Sequence, residues 1–283
     1  MKNKYIEQTM RFVFLAAACV SIAATITICI FLFANGVPAM LKIGLKNFIF
    51  GLKWKPSIDL YGIFPMIVGS ITVTLGALTL GVPLGLFTAV FLARYCPKQL
   101  YNFFESGVKL LAGLPSVVYG FFGLTVIVPA IRNIFGGNGT SILAASIVLA
   151  IMILPTIISV SESSIRAVPS LYFEGSLALG ACKERSIFLV ELKAAKSGIM
   201  AGIILGVGRA VGETMAVIMV AGNQAILPRS LVKGIRTLTA NIVLEMGYAA
   251  DLHRNALIAT SVILFIFILI INLCFSLLKE KKE

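Results

Sequence analysis

Charge is scarce in this chain. Asp, Glu, Lys and Arg make up 13% of its 283 residues, where a soluble domain carries roughly a quarter, and an ordinary water-facing surface is thereby excluded. Histidine is nearly absent: the single His253 stands beside Asp251 and Arg254 in a segment expected to be a surface loop, with no second metal ligand near it. Neither a zinc centre nor histidine-based catalysis has a basis there. Cys19, Cys29, Cys96, Cys182 and Cys274 show no CxxC spacing, so they read as small packing residues and not as a disulfide framework. A G-x-x-x-x-G-K-[ST] phosphate loop is also missing, because Ala195 stands before Lys196-Ser197 where that motif needs glycine. The chain is therefore not expected to hydrolyse ATP, and it is expected to need neither metal nor cofactor.

What is plentiful is apolar sequence, 59% of the residues, gathered into runs longer than a globular core requires. A helix crossing the hydrocarbon core needs roughly 20 mostly apolar residues. Stretches at about 12–34, 64–93, 109–130, 141–160, 198–222 and 256–278 qualify. They predict an all-α polytopic membrane protein with six transmembrane helices, embedded in membrane lipid. The first run follows Lys2, Lys4 and Arg11, as a signal peptide would, but it exceeds the roughly 7 to 15 residues of a signal core. It is expected to remain as the first span. Pro83 and Pro155 read as simple kinks within spans.

The net charge of +12 invites a nucleic-acid reading. Its Lys and Arg, however, sit in short clusters beside apolar runs, with no basic face interleaved with aromatics. They act instead as topology signals. An even number of spans puts both termini on one side, and the greater share of Lys and Arg places that side in the cytoplasm. Lys279, Lys281 and Lys282 favour this orientation, and Lys42, Lys46, Lys53 and Lys55 oppose it. The longest cytoplasmic connection then runs from about residue 161 to 197. Between Ser170 and Ala195 it mixes apolar residues with Glu174, Lys183, Glu184, Arg185, Glu191 and Lys193, which suits short helices at the membrane surface. Such a segment either docks a soluble partner or merely joins two spans.

Arg209 and Glu213 lie deep inside the run 198–222. Each charge near a helix centre costs roughly 2.5 to 3.5 kcal/mol to insert, so such residues face protein or a wet cavity. At about 100° per residue, Gly198, Gly202, Gly206, Arg209 and Glu213 fall within one narrow stripe. Glycines at that spacing admit a neighbouring helix. The i, i+4 spacing lets the two charges offset each other, either as an ion pair that ties helices together or as an anion station, for which the planar, permanently charged Arg fork is suited. In the third run, Gly113-Leu114-Pro115-Ser116 removes a backbone donor, giving either a simple kink or a place where Ser116 lines a pathway.

The stretch Glu174-Gly175-Ser176-Leu177-Ala178-Leu179-Gly180, with Val190-Glu191-Leu192-Lys193 after it, resembles the coupling motif of ABC-importer permeases, EAA-x3-G-x9-I-x-L-P. Glu174 and Gly180 match at the family spacing, while Gly175, Ser176, Val190 and Lys193 depart from it. Gly208-Arg209-Ala210-Val211-Gly212-Glu213-Thr214-Met215-Ala216-Val217 and Gly113-Leu114-Pro115-Ser116-Val117-Val118-Tyr119-Gly120 resemble the phosphate-specific permeases, and the Met-Ala-Val continuation resembles their PstC-type subunit. Sulfate and molybdate permeases carry a related Arg-Ala-x-Gly-Glu stretch, usually without that continuation.

This resemblance implies a MetI-like permease fold over residues 62–283, with a coupling loop at about 161–197, preceded by an N-terminal helix and a short external loop over residues 1–61. It implies a substrate pathway along Arg209, Glu213, Thr214 and Ser116, with ATPase coupling through Glu174 and Gly180. The implied partners are a second, PstA-like permease, two ATP-binding subunits, an extracytoplasmic phosphate-binding protein and inorganic phosphate. A permease for another oxyanion, a stand-alone secondary transporter or channel, and a membrane enzyme are the rival readings. The folded cytoplasmic loop argues against the second, and the lack of a catalytic cluster in the spans argues against the third.

Overall fold

The computed structural model describes residues 2–228 and 230–280, with side chains described at position 7 and over 9–228 and 230–274. Lys281 and Lys282, used above for topology, lie outside the described residues, as do the side chains of Lys2, Lys4 and Lys279. Among the described residues the regular structure is helical apart from a hairpin of two two-residue strands and an isolated bridge between Gly222 and Ile235. A long α1 (Lys2–Ile43) leads through α2 (Leu45–Phe50) to strands β1 (Trp54–Lys55) and β2 (Leu60–Tyr61). Next come α3 (Phe64–Val90), extended by a π turn over Phe91–Tyr95, and α4 (Lys98–Gly113). α5 (Ser116–Phe122) and α6 (Val128–Phe135) flank a second π turn, and α7 runs from Ile142 to Arg166.

Short helices follow, α8 (Ser170–Ala178), α9 (Lys183–Ser186) and α10 (Leu192–Ala194), with a third π turn over Ile187–Glu191. The chain closes with α11 (Lys196–Gly212), α12 (Met215–Val220), α13 (Leu238–Met246) and α14 (Asp251–Glu280). Short helices, as expected between Ser170 and Ala195, are thus present.

Five helical segments among the described residues are long and apolar enough to cross a membrane: Thr9–Ile43, Phe64–Tyr95, Ser116–Phe135, Ile142–Arg166 and Asp251–Cys274. Two of the six expected stretches differ. The third is displaced, because the helix stops at Gly113 and restarts at Ser116 beyond Pro115, whose ring and missing N–H end a helix. The fifth, 198–222, is interrupted at Glu213 and Thr214, leaving α11 and α12 as separate pieces. Pro83 and Pro155, by contrast, sit inside continuous helices.

α7 is the axis of the bundle. Ala144, Ala145, Val148, Leu149, Met152, Ile153 and Ile157 are all buried on it, because α3 and α11 close on it with glycine faces. A Cβ added at Gly81 or Gly85 of α3 would stand 2.9 or 2.8 Å from Ile153 or Ile157. Gly198, Gly202 and Gly206 of α11 likewise lie against Ser164, Val160 and Ile157. Lipid supplies no hydrophobic drive between helices, so such close backbone approach, with its dispersion contacts, holds them together.

A second cluster joins Met40, Phe48, Trp54, Tyr61, Ile63 and Met66 to Leu238, Leu257 and Val262. It seats the hairpin and α1 on α13 and α14. Elsewhere the large apolar side chains of α1, from Phe12 to Ile30, are exposed, as expected of a helix that is apolar all round and faces lipid.

Candidate functional site

Two chain breaks define the candidate pathway. At the first, Ser116 begins α5 just after Pro115, and Tyr119 donates its hydroxyl hydrogen to the Leu111 carbonyl (2.5 Å), bridging back to the last turn of α4. At the second, Glu213 leaves the helix with φ −70° and ψ 131°. Its carboxylate then accepts from the Ala216 N–H at 3.0 Å, capping α12, and its backbone carbonyl accepts from the Thr239 hydroxyl at 3.1 Å. The helices that follow the two breaks pack on each other, with Gly120 of α5 set against Ala216 and Met219 of α12.

The expected offset between Arg209 and Glu213 does not occur. Their i, i+4 register requires a continuous helix, and the chain turns extended at Glu213. Arg209 instead donates to the Thr156 hydroxyl of α7 at 3.3 Å, and no carboxylate of the described residues pairs with it. The glycine stripe does face α7, with Arg209 continuing it. Thr214, half-buried, donates to the Gly212 carbonyl at 3.2 Å and stands between α11 and α12. Beside Glu213, a small crevice is lined by the hydroxyls of Ser70, Thr74, Thr237 and Thr239. These and Thr156 were not legible in the sequence, since a Thr or Ser in an apolar run reads as neutral filling.

In the segment between α7 and α11, Glu174 is exposed on α8 and forms no ion pair among the described residues. Leu171 and Leu179 are also exposed, at 75% and 92%. Gly180 follows α8 at φ +85°. Its N–H bonds the Leu177 carbonyl at 2.9 Å, and the Ala181 N–H bonds Ser176 at 3.1 Å. This pair is the Schellman closure of a helix, which a glycine in the left-handed region makes at no steric cost.

Two polar clusters depart from the sequence reading. Glu191, grouped in the sequence with the charges of short surface helices, is 1% exposed and meets Arg94 at 2.7 Å, because the π turn over Ile187–Glu191 rolls it inward under the end of α3. His253 is not a loop residue: it lies in the first turn of α14 with Nε2 2.8 Å from Glu245. Glu245 also accepts from Trp54 (2.8 Å) and Arg236 (2.6 Å). A carboxylate only accepts, so three donors satisfy this buried acid. Tyr101 donates to Glu162, in the last turns of α7, at 2.8 Å. That bond, then burial, raises its pKa above the ordinary phenol value, so it remains a donor near neutrality.

Comparison with known proteins agrees with the fold. The family model of binding-protein-dependent transport system inner membrane components matches residues 81–281. A probable ABC transporter permease protein of Bacillus subtilis, YqgH, is 38% identical over 283 residues, covering 96% of this chain and 92% of that relative. The phosphate transport system permease protein PstC of Mesorhizobium japonicum is 33% identical over 265 residues, covering 86% and 81%. Among solved structures, a chain of the bacterial alginate ABC transporter, in complex with its alginate pentasaccharide-bound periplasmic protein, gives a TM-score of 0.61. That match is 14% identical and covers 93% of this chain and 92% of that one. The inward-facing methionine transporter MetNI gives a TM-score of 0.59 at 18% identity, covering 81% and 99%. The chain thus belongs to the family of binding-protein-dependent transport system inner membrane components, as a multi-pass, non-catalytic permease subunit of an ABC importer.

Proposed function

We infer that this permease carries inorganic phosphate, with Arg209 as the anion station of its pathway. The observation that carries the reading is a guanidinium in the last turn of α11, within an apolar run and beside the break, hydrogen-bonded to a neutral threonine and paired with no carboxylate of the described residues. A charge so placed is retained where it meets a charged or polar ligand, and the Arg fork matches a tetrahedral oxyanion. Ser116 and Thr214, at the starts of the paired helices α5 and α12, add hydroxyls to the same route. Glu213 shapes the break and keeps α12 in place. Relatives named as phosphate permeases, identical at 31 to 34%, support phosphate over other oxyanions.

Coupling runs through the segment 161–197, with Glu174 and the exposed Leu171 and Leu179 meeting an ATP-binding subunit and Gly180 setting the end of α8. The assembly comprises a second, PstA-like permease, two ATP-binding subunits and an extracytoplasmic phosphate-binding protein. Residues 62–283 form its permease domain, residues 1–61 add a helix and hairpin, and both termini face the cytoplasm. Cysteine labelling from opposite sides at Lys46 and Glu174 checks that orientation, and labelling of both from one side would refute it.

The test of the anion station is phosphate uptake into vesicles at matched membrane abundance. Arg209→Ala should lower uptake about tenfold or more, the scale of one lost charge-assisted bond. Arg209→Lys, which keeps charge and loses the fork, should fall between. Uptake at the wild-type rate by Arg209→Ala would end the anion-station reading.

A further inference from the structure

We propose that Arg94 and Glu191 are positioning residues that lock the coupling segment onto α3 and α7, so that these three move as one body during transport. The inference rests on the coupling role assigned above to residues 161–197. Arg94 presents two nitrogens to the two oxygens of Glu191, Nε at 2.9 Å and Nη2 at 2.7 Å. A two-point contact of this kind fixes orientation as well as distance.

The same Nη2 donates to the Ile165 carbonyl of α7 at 3.0 Å. In return, Arg166 of α7 donates to the Leu92 carbonyl of the π turn that ends α3, at 2.8 Å. Each helix thus offers an arginine to the other's backbone. A second acid, Glu162, holds Arg166 at 2.8 Å and receives the Tyr101 hydroxyl. Beneath lies an apolar seam of Ala89, Val90, Ile165, Val168, Ile187, Ala195 and Ile199, drawn from α3, α7, the coupling segment and α11.

The placement of the pair gives it a mechanical role. Arg94 lies in the π turn at the end of α3, and Glu191 lies in the π turn between α9 and α10 of the coupling segment. Such turns interrupt regular helix geometry and recur at functional positions. A push on the exposed α8 therefore reaches α3 and α7 through this contact and the seam under it. α7 carries Thr156, the partner of Arg209, so the same body extends to the candidate anion station.

The test uses the importer complex purified through this chain and placed in lipid nanodiscs, with the native cysteines replaced and spin labels at Leu171→Cys and Leu84→Cys, both exposed positions. A locked body gives one narrow distance distribution that is the same without nucleotide and after trapping with ATP and vanadate. Arg94→Lys and Glu191→Gln are the mild variants. Each should broaden the trapped distribution and raise the ATP hydrolysed per phosphate imported about fivefold or more, the low end of coupling between linked sites. Arg94→Glu should uncouple further, and adding Glu191→Arg to it should restore part of the narrow distribution. Unchanged distances and unchanged ATP cost in both mild variants would overturn the proposal, as would a double reversal no better than Arg94→Glu alone. Should the unaltered complex import no phosphate, the substrate reading fails, and the distance distributions still decide the lock.

Discussion

Gly180 shows what a motif position can mean physically. Its φ of +85° and the bonds from its own N–H and that of Ala181 close α8, and an added Cβ would meet nothing within 4 Å. In this chain its need for glycine is one of conformation, not of space. Replacement by Ala should cost about 1 kcal/mol at the helix end, whereas Asn, which visits the left-handed region readily, should cost less. Uptake and ATPase association are expected in the order Gly, Asn, Ala. If Asn proved worse than Ala, the cleft of a partner would be selecting on size instead. Glu174, Gly180 and Arg209 drew attention in the sequence, two by resemblance to a family motif and one as a charge in an apolar run. Glu191 did not, because a charge in a mixed segment reads as solvated until its partner, 97 residues earlier, is brought over it.

At the scale of elements, hydropathy reports the length of an apolar run but not its continuity. Pro115 announced its break through its own chemistry. Gly212-Glu213-Thr214 did not, and counting i, i+4 across it produced an ion pair that the fold lacks. The actual work of Glu213 is local, holding the first turn of α12 by accepting from Ala216. Glu213→Gln keeps a carbonyl acceptor for that N–H and should leave uptake within about twofold of wild type, since a surviving neutral hydrogen bond differs little in net energy. Glu213→Ala removes the acceptor and should destabilise the protein by about 1 kcal/mol, the usual cost of a lost cap, visible as a lower midpoint of thermal unfolding in detergent. Loss of uptake in Glu213→Gln at full abundance would return the carboxylate charge to the mechanism.

For the molecule as a whole, the sequence carried the membrane architecture because the bilayer demands long apolar runs, and it carried the tight α7 contacts because glycines at spacing four are visible. The connections at either end of the bundle were harder to foresee. Their order comes from contacts between residues remote in sequence, such as Trp54 with Glu245. The break between α11 and α12 has one more consequence, which concerns solvent. The amide hydrogens of Thr214 and Met215 find no acceptor among the described residues, and inside a dry bilayer each would cost several kcal/mol. Water reaching that depth would supply the missing acceptors. Hydrogen–deuterium exchange of the lipid-embedded protein should label Thr214 and Met215 within seconds to minutes while Val148 to Ile157 of α7 stay protonated for hours. Protection at Thr214 equal to that of α7 would mean that the route is sealed there, and that the resting permease keeps a dry plug where an aqueous thread is expected.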